Sequence, residues 1–251
     1  MGTKGRLERQ AALFGDANRE IGRVTLGIVG LGGNGSVVAL GAGYAGFRHF
    51  KLFDPDRLDL SNCNRFFAGG TGQVGQFKVD LVKKGLRLID PNIRCKTLRS
   101  DVRTPMAQVE LGLCDCILAC PDNDETRAFL QKFCTERRIP LVEVGSGAVV
   151  RNGRVRMLGC KVSFYRPGEA CIGCICLEDK PMEQSHQSFV GTNLVAAGLA
   201  LTTLVAAVTQ RWETRNFVAY DAIGQEMLSM NVARRPACPF CGSERPRAAA
   251  D

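Results

Sequence analysis

The stretch GIVGLGGNGS, residues 27–36, constrains the fold more than any other part of the chain. The apolar run VTLGIV leads into it and the small-residue run SVVALGAGYAG follows, a pattern of strand, tight turn and helix. Such a loop presents backbone N–H groups and a helix N-terminus to a phosphate. Gly30, Gly32 and Gly35 satisfy G-x-G-x-x-G, with Gly33 inside the motif, and Asp54 ends the next apolar run where a ribose hydroxyl would lie. Taken alone, these residues suit an NAD(P)-dependent oxidoreductase, and that alternative stays open at this point.

The surrounding punctuation extends the pattern. Residues 6–20 read as a helix, 24–29 as a strand, 34–45 as a helix and HFKLFD (49–54) as a second strand. After the polar, Gly-rich SNCNRFFAGGTGQVGQ come a helix around VDLVKKGLRLI and an extended piece near IRCKTLRSDV. The strand DCILAC, the helix TRAFLQKFCTERR and the strand PLVEVG follow. This alternation predicts an α/β fold, a Rossmann-like and mostly parallel sheet with helices on both faces. Beyond residue 150, RVRMLGCKVSFY and FVAYDAIGQEMLSMNV alternate and turn at Gly224 like antiparallel strands. At 251 residues the expectation is one domain over 1–251: an N-terminal helix at about 6–20, a nucleotide-binding part at about 21–150 and a further part at about 151–242.

Charge and cysteine usage narrow the partners. The net charge of +8 would suit an anionic partner, but the basic residues are spread along the chain, so no nucleic acid is expected. MGTKGRLERQ lacks the apolar core of an export signal, and a cytoplasmic location is expected. The uncharged segment 191–208, GTNLVAAGLALTTLVAAV, holds Asn193 and three threonines, so it reads as a buried or subunit-interface helix, with no membrane. Of twelve cysteines, only four form CxxC pairs, Cys171 with Cys174 and Cys238 with Cys241. Two such pairs match a closed tetrahedral zinc site, with unmetallated buried thiols as the alternative. The other cysteines sit mostly in apolar runs and read as small hydrophobes in a reducing compartment.

A further set of residues follows the loop that hydride transfer does not need. DPDRLDLSNCNRF (54–66) carries Asp54, Asp56, Asn62 and Arg65; GQFK adds Lys78; and PDNDETR (121–127) sets Asp122 and Asn123 just after a buried strand. Open α/β sheets bind ligands at the carboxyl ends of their strands, so Asp54, Arg65, Lys78 and Asp122 converge on one crevice. Cations and a carboxylate around such a loop suit a triphosphate with Mg²⁺. Asp122 and Asn123 also read as a helix cap, and Arg65 and Lys78 as solvated surface charges.

The ordered series GLGGNGS, DPD, SNxxR, GQxK and DNxxxR, followed by CxxC and CPxC, resembles the adenylating enzymes that activate ubiquitin-like and sulfur-carrier proteins, including the ThiF and MoeB types. The resemblance spans residues 6–242. It implies that Asp54 holds the ATP ribose, that Arg65 and Lys78 contact phosphates with Asn62 near them, and that Asp122 assists Mg²⁺. It also implies that Arg9 of RLERQ reaches the ATP of a partner subunit in a homodimer, with Arg6 a weaker match. The four paired cysteines are implied to hold structural zinc, and the part after residue 150 to carry the crossover and the surface for the carrier protein. Arg65, Lys78, Arg9 and Mg²⁺ would neutralise charge as a carboxylate attacks the α-phosphate. No general base is then needed, which suits a chain with two histidines, because a carboxylate is already ionised at neutral pH.

The expected activity is therefore adenylation of the C-terminal carboxylate of a small carrier ending in Gly-Gly, with release of pyrophosphate. The pattern departs from the family at a few points. LEDKPMEQSHQSFVGTN has no cysteine where many ubiquitin-activating relatives have a thiol nucleophile, which leaves Cys176 of CIGCIC as the nearest candidate for thioester formation. Phe66 stands where Gln is usual and Cys63 where Leu is frequent. No rhodanese-like segment is seen, so any sulfur donor is expected to be a separate protein.

Overall fold

The computed structural model describes residues 5–175 and 187–242. Five strands, β1 (Thr25–Val29), β2 (His49–Phe53), β3 (Arg94–Leu98), β4 (Cys116–Ala119) and β5 (Leu141–Arg151), form the parallel part of the sheet. Three more, β6 (Arg154–Tyr165), β7 (Phe217–Asp221) and β8 (Glu226–Met230), add to it in antiparallel fashion. The order is β3-β2-β1-β4-β5-β6-β7-β8 in one continuous sheet. The chain order reverses between β1 and β4, and that reversal opens a crevice at their carboxyl ends.

Both faces of the central strands are buried, which is why they read as apolar runs without alternation. Leu26 and Ile28 of β1 and Cys116 and Leu118 of β4 face one core, covered by α3 (Gly33–Ala45), α4 (Lys78–Ile89) and α8 (Val190–Thr209). Val29, Ile117 and Ala119 face the other, covered by α5 (Pro105–Leu111) and α6 (Asp124–Arg137). Each fully buried Leu, Ile or Phe contributes roughly 1.5–3 kcal/mol by leaving water.

By length and apolarity alone α8 could cross a membrane, yet half of it is buried, packed on α3, β5 and β6. Ala196, Ala197, Ala200 and Leu204 face the core, while Leu194, Gly198 and Thr202 form an exposed stripe. It is a core helix with one open side, as its composition suggested.

Three elements differ from the sequence expectation. The single helix over 6–20 is two, α1 (Glu8–Phe14) and α2 (Ala17–Arg23), because Gly15 sits at φ +55° and ends the first. The strand PLVEVG runs on to Arg151, because its distal half pairs with β6 rather than β4. The short helix α5 was not anticipated; it starts at Pro105, whose ring suits a first helical position, and has few residues from which to read a period. The remaining short helix, α7 (Ile172–Ile175), carries the second thiol of the first CxxC pair.

Candidate active site

The site is built outward from the glycine turn between β1 and α3. Gly30 lies at φ +81°, and a Cβ there would stand 2.7 Å from the Cys120 carbonyl oxygen, so both backbone angle and space demand glycine. A Cβ on Gly35 would land on the Gly30 carbonyl oxygen, while nothing lies within 4 Å of one on Gly32. The first turn of α3 has no side-chain cap and no acidic residue. No side chain of the described residues caps its first N–H groups, which leaves them for an anion.

Asp54, just past β2, fastens this turn. Its Oδ2 accepts the Leu31 N–H at 2.6 Å and its Oδ1 accepts the Asp56 N–H at 2.8 Å; the residue is 4% exposed. Burial raises the Asp54 pKa above its ordinary value, and the nearby Lys78 ammonium works against that rise. Lys78, the first residue of α4, is buried and pairs with the more exposed Asp56 at 2.8 Å. Arg65 follows a 3-10 turn over Leu60–Asn62 and donates to the Ser61 carbonyl at 2.8 Å and to Asn64 Oδ1 at 3.0 Å. Its Cδ lies 3.1 Å from where a Gly33 Cβ would stand, so its stem lies against the first turn of α3. Asn62 is on the same turn, its amide 3.3 Å from Ser61 Oγ.

Asp122 and Asn123 divide the two readings of their motif. Asn123 is the N-cap of α6, its Oδ1 accepting the Thr126 N–H at 2.8 Å. Asp122 precedes the cap, is exposed, and makes no ion pair with any described residue. Its turn is clamped by Arg127, which pairs with Glu143 of β5 and donates to the Pro121 carbonyl at 2.6 Å. Sequence reasoning passed over Glu143; its signal was an acidic residue inside the apolar run PLVEVG, because a buried charge needs a partner.

A neutral polar cluster was also missed. Asn34 Oδ1, in the first turn of α3, accepts Ser146 Oγ at 3.1 Å and Asn193 Nδ2 at 2.7 Å. Asn193 Nδ2 also donates to Ser146 Oγ at 2.7 Å, and Asn193 Oδ1 accepts from Ser188 Oγ at 3.2 Å.

Arg6 and Arg9 lie elsewhere. Arg6 donates to the Gly43 and Tyr44 carbonyls at 3.1 Å each and lies 3.6 Å from the buried Asp90, at the C-terminal end of α3. Arg9, on α1, is exposed. The thirteen residues of α3 span about 20 Å at about 1.5 Å per residue. Arg9 is thus far from the glycine turn of its own chain.

On the opposite side of the sheet from α3, Cys171, Cys174, Cys238 and Cys241 are all buried, with every sulfur within 4.8 Å of the others. Cys171 Sγ is 3.4 Å from Cys238 Sγ and 4.0 Å from Cys174 Sγ, and Cys174 Sγ is 3.4 Å from Cys241 Sγ, too far for disulfides. The cluster can hold a metal ion. The Arg235 N–H points at Cys174 Sγ at 3.3 Å. Burial pushes the Cys174 thiol up, but backbone N–H groups, Arg235 first, and the neighbouring thiols outweigh it and bring it down to about 7. Cys176 lies outside the described residues.

Several known proteins resemble the chain. Ubiquitin-like modifier-activating enzyme 5 of Drosophila ananassae is 26% identical over 234 residues, covering 84% of this chain and 57% of that protein. The chain thus spans a little over half the length of that relative. Molybdopterin-synthase adenylyltransferase of Escherichia coli K12 is 27% identical over 224 residues, 86% of each chain. Among solved structures, E. coli MccB with ATP superposes with a TM-score of 0.76 at 19% identity, over 90% of this chain and 69% of that one. The complex of MccB with AMPCPP and MccA gives 0.82 at 18% identity, over 97% and 75%. At these identities the structural likeness speaks for the fold. The family model matches residues 7–240, nearly the whole chain, and the protein belongs to the ThiF family.

Proposed function

We propose that the chain uses ATP to adenylate the C-terminal carboxylate of a small ubiquitin-like or sulfur-carrier protein ending in Gly-Gly, releasing pyrophosphate. One observation carries this reading: Lys78 and Arg65 flank an uncapped glycine turn that Asp54 fastens from beneath, at the switch point of the sheet. Membership of the ThiF family turns the same turn away from the nicotinamide oxidoreductase reading. The relatives named for adenylyl transfer and for modifier activation support the substrate class.

In this mechanism the N–H groups of the turn bind phosphate oxygens, and Lys78 and Arg65 offset the charge that builds as a carboxylate attacks the α-phosphate. Lys78 is held for this by Asp56, whose exposed carboxylate is free to yield when phosphate arrives. Asp54, Asp56, Asn62 and Asn123 complete the nucleotide's surroundings, Asn123 by holding the start of α6. Asp122, exposed and without an ionic partner among the described residues, suits Mg²⁺. Bound there, the ion would withdraw charge from the phosphates. Arg9 serves the site of a second copy, which requires a homodimer.

The cysteine cluster fits zinc. Four thiolates at about 2.3 Å from one centre stand about 3.8 Å apart in a tetrahedron; here three sulfur pairs are 3.4–4.0 Å apart and all four sulfurs lie within 4.8 Å of one another. With four protein ligands the site has no open position, so its role is to tie the segment after β6 to the C-terminal part of the chain. The sequence has no cysteine from Leu177 to Gly191, so in this reading the reaction ends at the acyl-adenylate; a reductant-sensitive adduct with the carrier that is lost in Cys176→Ala would instead assign a thioester to Cys176.

Exchange of labelled pyrophosphate into ATP, run with a panel of Gly-Gly-ending carriers, tests the reading. Exchange is expected to require a carrier and to fall by about a hundredfold in Asp122→Ala, the scale of removing one electrostatic stabiliser. Absence with every carrier, or no response to the substitution, would refute it.

A further inference from the structure

The sheet order sorts the crevice by chemistry. Asp54, Asp56 and Lys78 gather at the β2 side of the glycine turn, and Asp122 follows β4. The next strand, β5, carries no cation of its own here, Arg127 and Lys161 lying over its Gly145, and brings Ser146, which joins Asn34 and Asn193 in a cluster of neutral amides and a hydroxyl. Asn193 is 1% exposed, so the α8 member of the cluster is fixed in the core. The cluster adjoins the phosphate side directly, because a Cβ on Gly33 would meet both Asn193 Oδ1, at 2.8 Å, and the Arg65 stem.

The hydrogen bonds fix which way Asn34 faces. Its Oδ1 takes two donors, Ser146 and Asn193, and the Asn193 amide is itself set by Ser188. Asn34 Nδ2 makes no hydrogen bond to any described residue and is not sealed from solvent. An amide has two donors to spend, and here both remain unspent on a half-buried side chain one residue beyond Gly33. A neutral donor held so suits a neutral acceptor, such as a peptide carbonyl, better than a phosphate, for which charged donors stand on the other side of the turn.

We infer that Asn34, oriented by Ser146 and Asn193, binds a carbonyl oxygen in the last residues of the acyl substrate and guides its carboxylate toward the α-phosphate. This inference rests on the adenylation reading and assigns the β5 side of the crevice to the acyl chain and the β2 side to the phosphates.

A test needs no identified carrier. Glycylglycyl-sulfamoyladenosine, a stable mimic of the acyl-adenylate, and ATP with Mg²⁺ are titrated calorimetrically into the wild-type chain, Asn34→Ala and Ser146→Ala. Asn34→Ala is expected to bind the acyl sulfamate about tenfold more weakly, the worth of one hydrogen bond, with ATP affinity unchanged. Ser146→Ala, which removes only an orienting donor, is expected to give a smaller loss in the same direction. Equal losses for both ligands, or none for the acyl sulfamate, overturn the inference. If the wild type binds neither ligand, the adenylation reading itself has failed. Thermal unfolding of each variant within a few degrees of wild type confirms that folded protein was compared, and Asn34→Ser serves in place of Asn34→Ala should the latter not fold.

Discussion

Removing the metal expected at the cysteine cluster should cost stability by an amount the chain itself sets. Cys174 and Cys238 have 63 residues between them, and the cluster brings their segments together. A cross-link of that span removes about 4 kcal/mol of chain entropy from the unfolded state on the loop-closure estimate. For a chain near 250 residues, each kcal/mol shifts the midpoint by about 2–4 °C. Zinc removal should therefore lower the thermal midpoint by at least about 8–16 °C, with metal–thiolate affinity adding to that floor. The assay is thermal unfolding before and after a strong chelator, with released zinc counted by a chromogenic dye. One zinc per chain and a drop of that size are expected, and Cys174→Ser or Cys238→Ser should reproduce the drop without chelator. Purified protein free of metal, with the four thiols open to alkylation in the native state, would refute the reasoning.

Two glycines of one loop should separate folding from binding. Gly35→Ala forces a Cβ onto the Gly30 carbonyl oxygen and should lose about 1–3 kcal/mol of stability, read from urea unfolding. Gly32→Ala meets nothing within 4 Å and should unfold like wild type, yet lose ATP binding in calorimetry because the new methyl occupies the phosphate space. Alkaline pH should unfold the chain early. Burial pushes Cys114, Cys116 and Cys120 up to about 12 from 9.0, so their contribution is complete below about pH 9 and is lost as pH rises towards 12. Three such thiols give a slope of about 4 kcal/mol per pH unit, and urea midpoints that stay flat between pH 8 and 10.5 would contradict it.

The sheet was legible because two-sided burial leaves an unmistakable trace: VTLGIV and DCILAC are apolar runs ended by glycine or proline. The antiparallel addition was legible from its punctuation, two short runs turning at Gly224, although the paired β7 and β8 show no alternation of buried and exposed residues. Elements that depend on one residue's backbone were not. Gly15 splits the N-terminal helix, and nothing in its neighbours announces a positive φ. The charged residues about the glycine turn were found because their spacing follows the strand ends. Asn34, Ser146 and Asn193 were not, because they lie as many as 159 positions apart and each alone reads as a small polar residue in an apolar setting. Arg127 and Glu143 were half visible, the arginine within a motif and the glutamate within a strand. Their pairing is a tertiary fact.

The account rests most heavily on where the phosphates sit. A crystal structure of the protein with Mg²⁺ and AMPCPP measures this directly, and Lys78 Nζ and the Arg65 guanidinium are expected about 3 Å from phosphate oxygens, above the N–H groups of Gly32 and Gly33. Nucleotide bound elsewhere, with both side chains directed into solvent, would contradict it.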